Sequence, residues 1–182
     1  MAWTTPPTYA TGFANRMTAA IANAQLRDNM NWLYRNYARK QADESVISST
    51  ALQDDNHLFL PLAANEVWVW EGFIYYTAAT TADLKIAFTV PASATGSWGV
   101  LGADVTTITS VNITAVPAYG DANPISLGSV GTGTYSCAFL QGTVVNAGTA
   151  GNLQLRWAQV ASIATNTTIY TNSFLLGYRT SG

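Results

Sequence analysis

The run Val67-Trp68-Val69-Trp70-Glu71-Gly72-Phe73-Ile74-Tyr75-Tyr76 narrows the choice of fold more than any other stretch of this chain. β-Branched and aromatic residues fill it, and successive side chains of a strand point to opposite faces. One face then carries Val67, Val69, Phe73 and Tyr75, and the other carries Trp68, Trp70, Ile74 and Tyr76. Both faces are apolar, so both need cover. The core of a sandwich covers one, and a subunit interface is the expected cover for the other, because Tyr and Trp are favoured at such contacts.

The same character runs from Val46 to the end. Strands are expected at 46–51, 57–62, 66–78, 83–90, 97–102, 105–116, 125–130, 134–146, 152–160 and 167–179. Turn residues separate them, as in Gly120-Asp121-Ala122-Asn123-Pro124 and Gly131-Thr132-Gly133. Eight to ten strands at this spacing predict a mainly β fold, a jelly-roll β-sandwich. Charged residues are only 10 % of the 182, against roughly 25 % in an average domain. Residues 1–57 hold five of each sign, whereas the remaining 125 hold eight in all. A net charge of −2 offers no basic field for nucleic acid. The apolar runs are too short to span a bilayer as a helix, and residues 1–20 do not read as a secretory signal.

Residues 1–45 read as a separate segment, an arm and a helix, ahead of a β-domain at 46–182. Pro6 and Pro7, in Trp3-Thr4-Thr5-Pro6-Pro7-Thr8-Tyr9, predict an extended arm. A helix is expected after Thr18, with Ala19, Leu26, Met30, Leu33 and Tyr37 in a heptad stripe and Asn23 at the remaining core position. Ile21 and Trp32 project away from that stripe among charged residues, which suits a second covered face.

Residues suited to chemistry are few. His57 is the one histidine, in Gln53-Asp54-Asp55-Asn56-His57-Leu58. No G-x-S-x-G elbow accompanies it, and one His with one Cys in different segments does not make a zinc site. Asp54, Asp55 and Asn56 lack calcium-loop spacing and read as a polar turn whose Asx side chains cap backbone groups. Glu66 and Glu71 face opposite ways on one strand, which does not suit a glycosidase pair. Cys137, in a strand-like run, reads as a buried inert thiol. Trp98, beside the Gly-rich Thr95-Gly96-Ser97 step, reads either as an exposed ligand contact at a loop tip or as a ring folded back over the sandwich. The expectation is therefore no catalysis, no cofactor and no metal.

Several segments, in order, resemble small bacteriophage virion structural proteins. They are Trp3-x-x-Pro6-Pro7-Thr8-Tyr9-x-Thr11-Gly12, Leu26-Arg27-Asp28-Asn29-Met30-x-x-Leu33, Leu52-Gln53-Asp54-Asp55, and Ala82-Asp83-Leu84-Lys85 with Phe88-x-x-Pro91. Later come Gly148 to Gln159 and Asn172-Ser173-Phe174-Leu175. The likeness covers most of the chain and is weakest at 97–130. It implies a trimeric β-domain behind an N-terminal anchoring segment, in a head-fibre, capsid decoration or tail protein. On that basis a capsid decoration protein is expected, in a virion assembled in the host cytoplasm. Its partners would be copies of itself and the major capsid or another virion protein, with no nucleic acid and no membrane. The alternative is a tail or baseplate protein that binds a host-surface glycan. Trp3, Pro6, Pro7, Tyr9 and Trp32 are the expected anchoring residues. Leu26, Met30, Leu33, Tyr37, Trp68, Trp70 and Trp157 are the expected trimer contacts.

Overall fold

A computed structural model describes residues 35–181 together with Ala20, Asn23 and Leu26. The expected arm and the anchoring and contact residues Trp3, Pro6, Pro7, Tyr9, Met30, Trp32 and Leu33 lie outside the described residues, and Leu26 is exposed.

The strands are β1 (Arg35–Arg39), β2 (Glu44–Val46), β3 (Gln53–Leu62), β4 (Val67–Thr77), β5 (Leu84–Thr89) and β6 (Thr95–Ala103). They continue as β7 (Val111–Val116), β8 (Ile125–Leu127), β9 (Ser136–Val145), β10 (Gly151–Gln159), β11 (Thr167–Ile169) and β12 (Phe174–Ser181). An eight-stranded sheet has the order β1-β12-β4-β9-β6-β7, with β11 bridging β2 and β4. A four-stranded sheet, β3-β10-β5-β8, faces it.

One rule organises the pairing. β1 pairs with β12, β2 with β11, β3 with β10, β4 with β9, β5 with β8 and β6 with β7, all antiparallel. The chain is one long hairpin, doubled back at the β6–β7 turn and rolled over two sheets. That is a jelly-roll β-sandwich.

The core lies between the sheets. Trp68, Trp70, Ile74 and Tyr76 of β4 point into it and meet Leu58, Leu60, Ile86, Phe88, Leu155 and Trp157 of the smaller sheet, all buried. The rings of Trp70 and Phe88 are 4.6 Å apart, and those of Phe88 and Trp98 5.1 Å. Tyr119 closes one end of this cluster, accepting the Trp70 indole N–H at 2.9 Å and donating to the Thr143 carbonyl at 2.8 Å. Burial pushes the Tyr119 phenol up despite the bond to Trp70. Glu66 lies under the edge of the larger sheet. Burial works to raise its carboxyl, but Arg179 at 2.9 Å, the Trp68 indole at 3.0 Å and the Ala63 amide hold it below the usual range.

Several expectations are corrected here. Residues 35–45 belong to the β-body, so Tyr37 sits on an edge strand rather than a helix. The free edge of β12 supplies a ladder there, and tertiary pairing overrides a weak helical preference. Trp68, Trp70 and Trp157 are enclosed within one chain and have no surface to offer a partner. Trp98 is 3 % exposed: Thr95–Ala103 is a strand rather than a loop tip, and alternation turns Trp98 inward onto Phe88. Cys137 is exposed, because odd-numbered residues of β9 face outward. The expected strand 105–116 loses its first part. The Asp104 carboxylate accepts the Thr106 and Thr107 amides at 2.8 and 3.0 Å, forming the turn at the tip of the long hairpin. The expected 167–179 strand breaks at 170–173, where Asn172 takes a left-handed φ of 73°.

Candidate functional site

The outer face of the eight-stranded sheet is where the second apolar side of β4 emerges. Its register can be followed strand by strand. Phe174 of β12 lies opposite Phe73 of β4, Phe73 opposite Phe139 of β9, Phe139 opposite Leu101 of β6, and Leu101 opposite Ile113 of β7. One apolar side chain from each of five adjacent strands thus forms a continuous row. Phe73 is the hub, with Phe139, Tyr75 and Phe174 rings at 4.7, 4.6 and 6.3 Å. Phe139 is 56 % exposed, Leu101 beside it 42 %, and Ile113 at the β7 edge 82 %.

The neighbouring row is different. Leu176, Glu71, Gln141, Gly99 and Ala115 follow one another across the same strands. The small residues at Gly99 and Ala115 leave a depression beside the taller apolar row. The result is a groove of about 910 Å³, walled by Phe73, Phe139, Leu101, Ile113 and Phe174. Glu71 stands in it without an ion-pair partner among the described residues. At the β1 side the face ends in cations: the Arg35 guanidinium lies 4.9 Å from the Tyr178 ring centre, and Arg39 donates to Asn172 Oδ1 at 2.8 Å.

Of the expected trimer contacts, Tyr37 lies on this face, exposed and 6.2 Å from the Phe174 ring. Phe139, Leu101, Ile113 and Phe174 were not singled out from sequence. Each strand contributes one of them, so no local motif announces the row. The signal that was present is the demand of β4 for cover on both faces.

The polar residues around His57 form a second cluster. Ligand atoms of Glu44, Asp55 and His57 lie within 4.8 Å of one another, a spacing that suits a cation. Lys40 supplies one. It is fully buried, its Nζ lies 2.6 Å from Asp55 Oδ2, and it also donates to Glu44. Asp55 Oδ1 accepts the His57 and Leu58 amides at 2.9 Å, the Asx capping expected of this segment. Asp54 points elsewhere, pairing with Arg156 at 2.7 Å. The cluster is an internal ion network that fastens the β1–β2 connection to β3.

No protein-family profile matches this chain, and no curated protein is similar to it. Among solved structures, the chain is similar to the Eiger TNF of S. frugiperda at 14 % identity, over 81 % of this chain and 92 % of that one, with a TM-score of 0.35. It is also similar to a structure of infectious bursal disease virus, Gx strain, at 11 % identity, over 80 % of this chain and 41 % of that one, with a TM-score of 0.23. The assignment of a jelly roll stands on the nested pairing of the twelve strands itself.

Proposed function

We propose that this protein is a non-catalytic virion structural component that assembles as a homotrimer through the outer face of its eight-stranded sheet. The observation that carries this reading is the row Phe174–Phe73–Phe139–Leu101–Ile113, left open to solvent across five strands. Tyr37, Val69, Leu101, Val111, Ile113 and Phe139 are all exposed on this face. A contiguous exposed apolar surface of this kind marks an interaction site.

The layout favours a ring. Stacking two faces about a twofold axis would bring Glu71 towards its own copy, and burying carboxylates without a partner is costly. Setting the β7 edge of one copy, led by Ile113 and Val111, against the row of the next joins unlike surfaces and brings no two Glu71 carboxylates together. Where its rotation closes, such a contact forms a ring. The number three comes from the resemblance to bacteriophage virion proteins.

In this reading the segment ahead of β1, with Trp3, Pro6, Pro7, Tyr9 and Trp32, attaches the body to the capsid. Sedimentation of the full chain at micromolar concentration is expected to give a trimer; a monomer refutes the assembly. Deleting residues 1–16 is expected to abolish particle binding and leave the trimer intact. Binding that survives the deletion refutes the anchoring role. A copy number in the hundreds per particle fits decoration, whereas a few copies place the protein at the tail or baseplate.

A further inference from the structure

We infer that one end of the sandwich carries a binding site for a neutral pyranose sugar, built from Tyr75, Tyr135, Tyr170, Asp43, Thr171 and Asn172. These residues line a cleft of about 510 Å³, within the ~300–1,000 Å³ of small-molecule sites. They come from four separated parts of the chain: the β1–β2 connection, β4, the β8–β9 loop and the β11–β12 turn. The inference does not rest on the assembly proposed above.

The aromatic side is built with support. The Tyr170 hydroxyl is fixed to Thr77 Oγ1 at 3.1 Å, and its ring meets that of Tyr135 edge to face at 4.8 Å. Tyr135 is held by this contact yet is 65 % exposed, and Tyr75 is exposed beside it. A pyranose has a face of C–H groups that rests on an aromatic ring and a rim of hydroxyls that needs donors and acceptors. Tyr suits such a surface, offering a rigid ring with little entropy to lose.

The polar side supplies both kinds of partner. Asp43 Oδ1 accepts the Thr171 amide at 2.8 Å and its hydroxyl at 2.7 Å, which orients the carboxylate and leaves Oδ2 as an acceptor. Asn172, in its left-handed conformation, gives its Oδ1 to Arg39, which leaves its amide N–H groups as donors. An acceptor and a donor on the lining of one cleft can serve two hydroxyls of a sugar. The Thr171 amide and hydroxyl hold Asp43 below the usual carboxylate range, so it stays ionised at neutral pH. The Arg39 guanidinium on Asn172 offsets that charge, and a cleft with one charge of each sign suits a neutral sugar.

The test is saturation-transfer NMR on the full chain with the methyl glycosides of glucose, galactose, mannose and N-acetylglucosamine, and with sialyllactose as the acidic comparison. Transfer to the ring C–H groups of at least one neutral glycoside is expected, with a Kd of about 1 mM. Tyr135→Ala and Asp43→Asn should each weaken it about tenfold, and Tyr135→Phe, which keeps the ring, should retain it. Far-UV circular dichroism should be unchanged, because Tyr135 is a surface residue. Absence of transfer to every neutral glycoside overturns the inference. So does undiminished binding by both Tyr135→Ala and Asp43→Asn, or stronger binding of sialyllactose than of the neutral sugars.

Discussion

Replacing Phe139 by Ala tests the assembly face near its centre. Phe139 leaves 56 % of its surface open, about 110 Å² if an aromatic side chain presents roughly 200 Å². Covering that area at ~25 cal/mol per Å² contributes just under 3 kcal/mol, of which the Ala side chain retains a part. The loss is therefore about 2 kcal/mol per contact, a factor of roughly 30, and about 6 kcal/mol over the three contacts of a ring. Within one chain the cost is smaller. The ring gives up its 4.7 Å contact with Phe73, worth about 0.5–1.5 kcal/mol, while Leu140 and Ala138 on the core side of β9 stay in place. Association should weaken far more than folding. Sedimentation equilibrium across a dilution series reads the first quantity and urea unfolding of the monomer the second. Val130→Ala, an exposed apolar site off the large sheet, serves as the control and should leave association unchanged. A Phe139→Ala protein that folds and associates as tightly as the parent refutes the reasoning.

Three further outcomes follow from the interior. Lys40→Met leaves Asp55 and Glu44 without their ammonium, and breaking a buried pair in this way costs about 3–5 kcal/mol, read as a lower urea midpoint. Glu66 has a depressed carboxyl pKa, so its contribution is present above the unfolded value near 4.3 and is lost as pH falls through the folded value. Tm measured from about pH 6 down to about pH 3 should therefore fall less steeply for Glu66→Gln than for the parent. Gly142→Ala would set a Cβ 2.7 Å from the Ser97 carbonyl oxygen and 2.8 Å from the Trp70 ring, and should lower stability by about 1–3 kcal/mol in the same unfolding assay.

The fold was legible where one strand's pattern decides it. The alternation of 67–76 placed Trp68, Trp70, Ile74 and Tyr76 on one side and Val69, Phe73 and Tyr75 on the other, and the structure keeps that division. Five residues at 35–39 were harder, because Tyr37 fits a heptad stripe as well as a strand, and what decides between them is the distant β12. Asp104 hid a turn inside a strand-like run, since one carboxylate removes two amides from the ladder. Trp98 was ambiguous for a related reason: flanking glycines suggest a loop, yet Gly96 and Gly99 both lie within β6. The Lys40–Asp55 pair could not be read at all, because nothing local distinguishes a buried lysine from a solvated one.

The low charge of the β-body acquires a physical reading from these placements. Glu66 is tied to Arg179, Arg156 to Asp54 and Asp121, and Lys85 to the Thr50 carbonyl. Asp104 is spent on its turn, and Asp83 accepts the Ser129 amide. Glu71 is then the one carboxylate left without a described partner on a face whose other charges, Arg35 and Arg39, lie at its β1 edge. A patch with so little charge does not repel a second copy, and its hydrophobic row favours one. Its single carboxylate restricts how that copy is oriented, because an arrangement that covers Glu71 must give it a donor or leave it wet. In the proposed assembly, affinity and orientation would come from adjacent rows, the apolar one ending at Ile113 and the polar one holding Glu71 and Gln141.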